Sequence, residues 1–269
     1  MNGLPTAAVQ DLALFSGSGV KLLRAATQSR GVWEVDIGQT ITKPRTYLRL
    51  FPTDTRRVLP TPTGGDVLNG DPHNPTHWDD SPDIVVDTTG VVPAAALTEV
   101  ELAKIPAAGP ATERAQLSTS NRHVKVHVLL HHRWSDSLPA AKVKVALMRH
   151  DLPVNGVVPI SLLWPALVAA APSATQPASL PDGWTRASAA LWQSPTGAVD
   201  SRVPRALTFD VDLTADASGT AVVFLAVVMS DLDQIGAADL SLGGANTAQT
   251  GDQLVVSSPH VAAKSLEID

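Results

Sequence analysis

Residues 123–152 read HVKVHVLLHHRWSDSLPAAKVKVALMRHDL and carry the clearest structural pattern in the chain. Valine or leucine stands at every second position from Val124 to Leu130, and again from Val143 to Leu147. An apolar residue at every second position is typical of a half-buried β-strand, because a helix would distribute these side chains around its circumference. The stretch therefore predicts two β-strands.

A short polar segment, SDSLP at 135–139, separates the two runs and contains residues that favour turns. We therefore predict an antiparallel hairpin with adjacent strands at 124–134 and 141–149. Pairing Trp134 near Ala141 places the valines of both strands on one face, whereas a slip of one residue would set lysines against valines. The expected core members are Val126, Val128, Leu130, Val145, Leu147, Phe209, Val211 and Phe224.

The same stretch resembles a known family. The spacing V-x-V-x-V-x-x-H, followed seven residues later by P-A-x-x-V-x-V-A-L, runs from Val124 to Leu147. It is similar to the central hairpin of bacterial immunoglobulin-like domains of the CARDB type, and HVAAKSLEI at 260–268 resembles that family's last strand. The resemblance covers residues 81–269 with insertions. It implies an immunoglobulin-like β-sandwich with a binding or spacer role and no catalysis.

The remaining segments predict a mainly β protein in two parts. Residues 1–75 are expected to form a β-rich N-terminal extension that ends in a Pro/Gly-rich linker, RRVLPTPTGGDVLNGDPHNP at 56–75. Residues 76–269 are expected to form the Ig-like antiparallel sandwich, with a short apolar helical insertion near 159–171 in which Pro165 kinks or ends the helix. The expected further strands lie at 84–86, 207–213, 221–229, 254–256 and 261–268.

Composition excludes several classes of protein. The chain has no cysteine, which removes disulfides and thiol catalysis. Its net charge of −6 argues against sequence-independent nucleic-acid binding, which needs clustered Lys and Arg. The longest apolar run, at 221–229, falls short of the roughly 20 residues that span a membrane. Because no secretory signal is visible at the N-terminus, we expect a cytoplasmic protein without a membrane partner.

One segment has the residue types of a metal site. His73 and His77 form an H-x-x-x-H pair, and Asp79 could supply a further ligand. Pro72 and Pro75 interrupt any helix that would place both imidazoles on one face. We therefore interpret the segment as a surface loop without a metal, and keep a metal-dependent hydrolase built on it as an alternative.

Other polar or aromatic sets have two interpretations. His123, His127 and His131 are four residues apart on one strand, a spacing of about 13 Å that one metal ion cannot bridge, so they predict a solvent-facing polar stripe. Asp210, Asp212 and Asp216 could bind calcium, but the EF-hand pattern is incomplete, so we interpret them as an outward strand face followed by an Asp-containing turn. Two tryptophans, Trp184 and Trp192, are candidate exposed platforms for a carbohydrate or another ligand.

No signature of a catalytic centre or cofactor site is visible. The chain contains no G-x-S-x-G, no Walker loop and no G-x-G-x-x-G. We therefore expect a non-enzymatic structural or protein-interaction module without a cofactor. Its expected partners are other proteins, in a homo- or hetero-oligomeric assembly of the phage-like particle or injection-machine type. A carbohydrate- or ligand-binding module is the first alternative, and the metal-dependent hydrolase is the second.

Overall fold

A computed structural model gives the structure of the protein, which is mainly β, as the sequence predicts. The chain divides into two compact units, Met1–Pro44 and Arg45–Asp269. The sequence-based boundary at residue 75 differs from this division, because a strand at Arg45–Tyr47 pairs with a sandwich strand. The described residues are 9–17, 20–27, 31–36, 45–49, 78–87, 115–117, 122–133, 137–152, 157–170, 180–200, 204–214, 219–240 and 248–268.

The first unit contains an antiparallel sheet of three strands in the order β1-β2-β3. The strands are β1 (Val9–Gly17), β2 (Val20–Thr27) and β3 (Gly31–Asp36). A register shift lies between Val9 and Asp11, and regular pairing then runs from Leu12 opposite Ala25 to Gly17 opposite Val20. Both β1 and β3 are therefore outer strands among the described residues of this unit.

The second unit contains two sheets, which we call the β7 sheet and the β12 sheet. The β7 sheet comprises β4 (Arg45–Tyr47), β5 (Ile84–Asp87), β7 (His123–Arg133) and β11 (Arg205–Asp212), with β4 and β5 on one edge of β7 and β11 on the other. The β12 sheet has the order β10-β8-β12-β13-β6, and β9 also pairs with β8. Its strands are β6 (Ala115–Leu117), β8 (Val143–Asp151), β9 (Thr185–Arg186), β10 (Trp192–Gln193), β12 (Thr220–Ser230) and β13 (Val261–Ile268).

The main core lies between these two sheets. It contains all eight predicted core residues, so the assignment of inward faces is confirmed. The opposite face of the β12 sheet is buried as well, under helices α1 (Leu163–Ala170) and α2 (Gly251–Ser257). Because β12 is buried on both faces, its sequence is a continuous apolar run rather than an alternating one.

The predicted hairpin is wrong, although both of its strands exist. β7 pairs with β11, β5 and β4, whereas β8 pairs with β12, β10 and β9. Leu138 forms a two-way backbone bridge with Val199, and a 3₁₀ turn at Ala140–Lys142 leads the chain into the other sheet. The two strands present their valines to one core from opposite sides. Alternating apolar residues are expected both in a hairpin within one sheet and in two strands that face each other across a core. The alternation therefore could not distinguish the hairpin from the sandwich.

Two segments of the outer layer differ from their predictions. Pro165 neither kinks nor ends α1, because it stands in the first turn of the helix, where a missing N–H costs no intrahelical bond. The Asp182 carboxylate accepts hydrogen bonds from the N–H groups of Leu162 and Leu163 at this helix start. Residues 254–256, expected as a strand, lie within α2, because three apolar residues fit either structure and carry no period.

Candidate functional site

Only one of the three candidate metal ligands, Asp79, lies in the described part of the chain. His73 and His77 fall outside it, whereas the backbone carbonyl of Asp79 accepts a hydrogen bond from the Ser265 N–H at 2.7 Å. This bond pins the segment before β5 to β13. Among the described residues, no group of three or more His, Cys, Asp or Glu side chains is placed to hold a metal ion.

The two candidate tryptophans belong to the layer that covers the β12 sheet. Trp184 is 2% exposed and its Nε1 donates to the Pro159 carbonyl at 2.8 Å, so its prediction as an exposed platform is wrong. The ring of His150 meets it edge-on, with 5.2 Å between the ring centroids. Trp192 is half-buried and packs against the same core. Both rings are therefore part of the apolar layer that covers the β12 sheet.

The aspartates considered for calcium lie on the exposed face of β11. Asp210 stands 3.7 Å from the Lys125 ammonium, and Asp212 stands 3.6 Å from Nδ1 of His123. Both are cross-strand contacts between β11 and β7, and Lys125 and Asp210 form an ion pair. The third residue, Asp216, lies outside the described part. The outward strand face is therefore the interpretation that fits Asp210 and Asp212.

The predicted solvent-facing histidine stripe is wrong beyond His123. His127 and His131 are buried on the outer face of the β7 sheet. Nδ1 of His127 lies 2.9 Å from the Thr208 hydroxyl, and Nε2 lies 3.7 Å from the Asp87 carboxylate. Burial lowers the pKa of His127 despite the nearby Asp87 charge, which favours a neutral ring.

This Thr–His–Asp order raises the question of nucleophilic catalysis. A triad needs a hydrogen bond from the imidazole to the carboxylate and an accessible hydroxyl. The 3.7 Å gap between His127 and Asp87 exceeds a hydrogen bond, and the imidazole is buried. The contact to Thr208 instead joins β7 to its neighbour β11, where the two residues are directly paired.

A second cluster surrounds His131 and fastens the start of the second unit to β7. Oδ1 of the fully buried Asp83 accepts from Arg49, with Nη2 at 2.7 Å and Nε at 2.8 Å, and from Nε2 of His131 at 3.0 Å. The ring of Tyr47 stacks on His131 at a centroid distance of 5.2 Å. The hydroxyl of Ser81 donates to the Arg49 carbonyl. We call these five residues the His131 cluster.

A third cluster surrounds His260, just before β13. Nδ1 of His260 lies 2.8 Å from Oδ1 of Asp239, and Nε2 lies 3.1 Å from Oδ2 of Asp233. Asp239 also accepts from the Ser258 hydroxyl at 2.7 Å and from the Gly236 N–H at 2.8 Å. We call His260, Asp233, Asp239 and Ser258 the His260 cluster. It ties the segment after β12 to the start of β13.

Electrostatics fix the charge state of the His260 cluster. Burial by itself disfavours the imidazolium, but the Asp233 and Asp239 carboxylates outweigh it and raise the pKa of His260 to about 9. Burial alone would likewise raise the pKa of Asp239, but His260, the Gly236 N–H and the Ser258 hydroxyl together lower it. The cluster therefore holds a buried imidazolium between two carboxylates at neutral pH.

A run of exposed, largely apolar residues lies on β1 in the described part of the chain. All six residues from Val9 to Leu14 are exposed, and the leucines Leu12 and Leu14 are 58% and 64% exposed. A strand that packs on a hydrophobic core buries every second side chain. Because residues 9–14 are all exposed, this part of β1 does not pack on a core. Solvent-facing leucines in such a run are typical of a surface that another chain covers.

Sequence reasoning missed Arg49, Asp83, Asp233, Asp239 and His260. They lack a common motif, because each cluster forms only where distant strand ends meet. The one available signal was that His131 and His260 adjoin apolar strand residues in the sequence, a position in which a histidine is often buried with a polar partner.

No protein-family model, curated protein or solved structure matches the chain. In the described part, no helix is long and apolar enough to cross a membrane.

Proposed function

We propose that this protein is a non-enzymatic structural module, an immunoglobulin-like sandwich that binds other protein chains in a larger assembly. The observation that carries the proposal is the exposed apolar strand β1. Leu12 and Leu14 belong to the first unit and the sandwich core belongs to the second, so a partner can cover these leucines without rearrangement of the sandwich core. The polar clusters described above support the same proposal, because their charged groups are buried and bind other parts of the chain.

The strand order supports the immunoglobulin-like part of the proposal. In that fold one sheet holds strands A, B and E, and the other holds C, F and G. Strands β5, β7 and β11 have the pairing of A, B and E, and β8, β12 and β13 have the pairing of C, F and G. The crossing from β7 to β8 between sheets corresponds to the B–C connection.

The test is co-purification with a tagged chain from the cells that naturally produce it. We compare the wild type with a Leu12→Glu/Leu14→Glu variant and with Leu162→Glu, which changes a leucine of nearly equal exposure, 63%, in the other unit. We expect wild type and Leu162→Glu to retain the same partner proteins, and the double variant to lose them at least tenfold. Equal partner recovery by all three chains would contradict the proposal.

A further inference from the structure

We propose that β1 pairs edge to edge with β1 of a second copy of this chain, in an antiparallel two-fold contact centred on Ala13. The inference deepens the proposed function, on which it rests, by naming the partner of the exposed strand. Three observations lead to it: the open edge of β1, the order of its side chains, and the position of its charge.

The first observation is that β1 is an outer strand whose edge around Ala13 lacks the usual protection. Among the described residues it pairs with β2 alone, and its sequence VQDLALFSG contains no Pro, Lys or Arg. An outer strand presents a row of backbone N–H and C=O groups that another strand can pair with, and natural edges are usually blocked by such residues or by bulges. The register shift of β1 lies between Val9 and Asp11, before the segment in question.

The second observation is the symmetry of the apolar side chains about Ala13. Antiparallel pairing centred there sets Leu12 of one copy opposite Leu14 of the other, and Leu14 opposite Leu12. Leu12 and Leu14 pair with Ala25 and Leu23 across β1 and β2, so all four share one face of the sheet. The contact therefore places four leucines of the two copies side by side, so that cross-strand packing covers part of the exposed Leu12 and Leu14 side chains.

The third observation is electrostatic and favours a copy over an unrelated partner. Asp11 is the only charged residue of β1. In the Ala13-centred register the two Asp11 residues are four positions apart, about 13 Å along the strand, so like charges do not oppose each other. A two-fold contact uses the same patch on both chains and must be complementary to itself, and this segment meets that condition.

The experiment uses the absence of cysteine from the full chain. Ala13→Cys introduces one thiol per chain, and directly opposed residues have Cβ atoms about 4.5–5.5 Å apart, within reach of a short bifunctional thiol reagent. Val32→Cys, 71% exposed on β3, and Leu162→Cys, 63% exposed in the other unit, are the controls. We expect a covalent dimer at least tenfold more abundant with Ala13→Cys than with either control.

Sedimentation equilibrium of the uncross-linked chains provides the second readout. We expect wild type and Leu162→Glu to dimerise with the same dissociation constant, and Leu14→Glu to weaken dimerisation at least tenfold while its thermal unfolding remains cooperative. A wild type that stays monomeric, or cross-linking of Ala13→Cys no higher than the controls, would overturn the self-pairing. If co-purifying proteins were still lost from the Leu12→Glu/Leu14→Glu variant, the proposed function would stand with a different partner on β1.

Discussion

His260 is buried between two carboxylates, and its charge links the end of β12 to the start of β13. A buried charge is costly unless it is paired and hydrogen-bonded. Here both ring nitrogens face an aspartate, and Asp239 has two further donors. The imidazolium therefore acts as a fixed cross-link between segments that lie 20 or more positions apart in sequence.

Removal of the imidazole should leave two buried carboxylates without their counter-charge. We expect His260→Ala to lower the free energy of unfolding by about 3–5 kcal/mol, measured by denaturant titration at pH 7. His123→Ala is the control, because His123 is mostly exposed and its side chain contacts the exposed Asp212. That variant should stay within roughly 0.5 kcal/mol of wild type. Equal and small effects of the two substitutions would show that the His260 cluster is not a stabilising contact.

The same cluster predicts how stability depends on alkaline pH. The pKa of His260 rises from 6.5 in the unfolded chain to about 9 in the folded one. Its contribution is therefore fully present below pH 6.5 and is lost as the pH rises through 9. At 1.36 kcal/mol per pKa unit, the contribution approaches about 3 kcal/mol.

We expect the difference in unfolding free energy between wild type and His260→Asn to shrink as the pH is raised from 6.5 to 9.5. Denaturant titrations at several pH values measure it, and the His123→Ala variant should follow wild type over this range. A difference that stays constant with pH would mean that His260 is not charged in the folded protein.

At the scale of single elements, β7 combines two kinds of buried face. Its even-numbered residues from Val124 to Leu130 line the core between the sheets, and the odd-numbered His127, Leu129 and His131 are buried on the other side. Sequence alternation identified the core face correctly. It could not identify the second buried face, because a histidine that alternates with apolar residues is typical of a solvent-facing position. The partners that allow burial here, Thr208 for His127 and Asp83 for His131, are distant in the sequence.

The core face of β7 can be tested by a charge. Val128 is fully buried opposite Leu207 and Ile84, and Val128→Asp would place a carboxylate there without a partner. We expect a loss of roughly 4 kcal/mol or more in unfolding free energy, by denaturant titration. Lys125→Ala, at an exposed position of the same strand, should change it by about 0.5 kcal/mol or less. An unchanged midpoint for Val128→Asp would mean that this face is not the core.

At the scale of the whole molecule, sequence patterns predicted the fold class and most sandwich strands, but not how the strands divide between sheets. Strands β5, β7, β8, β11, β12 and β13 all lie where alternation or apolar runs place them. The assignment of β8 to the second sheet depends on its pairing with β12, which begins more than 60 residues later. Such long-range pairings leave no local signal, and a polar turn between two strands suits an inter-sheet connection as well as a hairpin.

The division of strands between the two sheets is the foundation of the immunoglobulin-like proposal, and a pair of cysteines tests it directly. Lys125 of β7 lies opposite Asp210 of β11, and both are exposed. In the hairpin register that pairs Trp134 with Ala141, Lys125 would instead lie opposite His150. In the sandwich those two residues belong to different sheets, which pack about 10 Å apart.

The decisive measurement is therefore disulfide formation in two variants of this cysteine-free chain, Lys125→Cys/Asp210→Cys and Lys125→Cys/His150→Cys. Mass spectrometry of peptides from the oxidised monomer reports the linkage. We expect an intramolecular disulfide in the first variant and none in the second. A disulfide between positions 125 and 150, with none between 125 and 210, would contradict the sandwich arrangement and restore the hairpin.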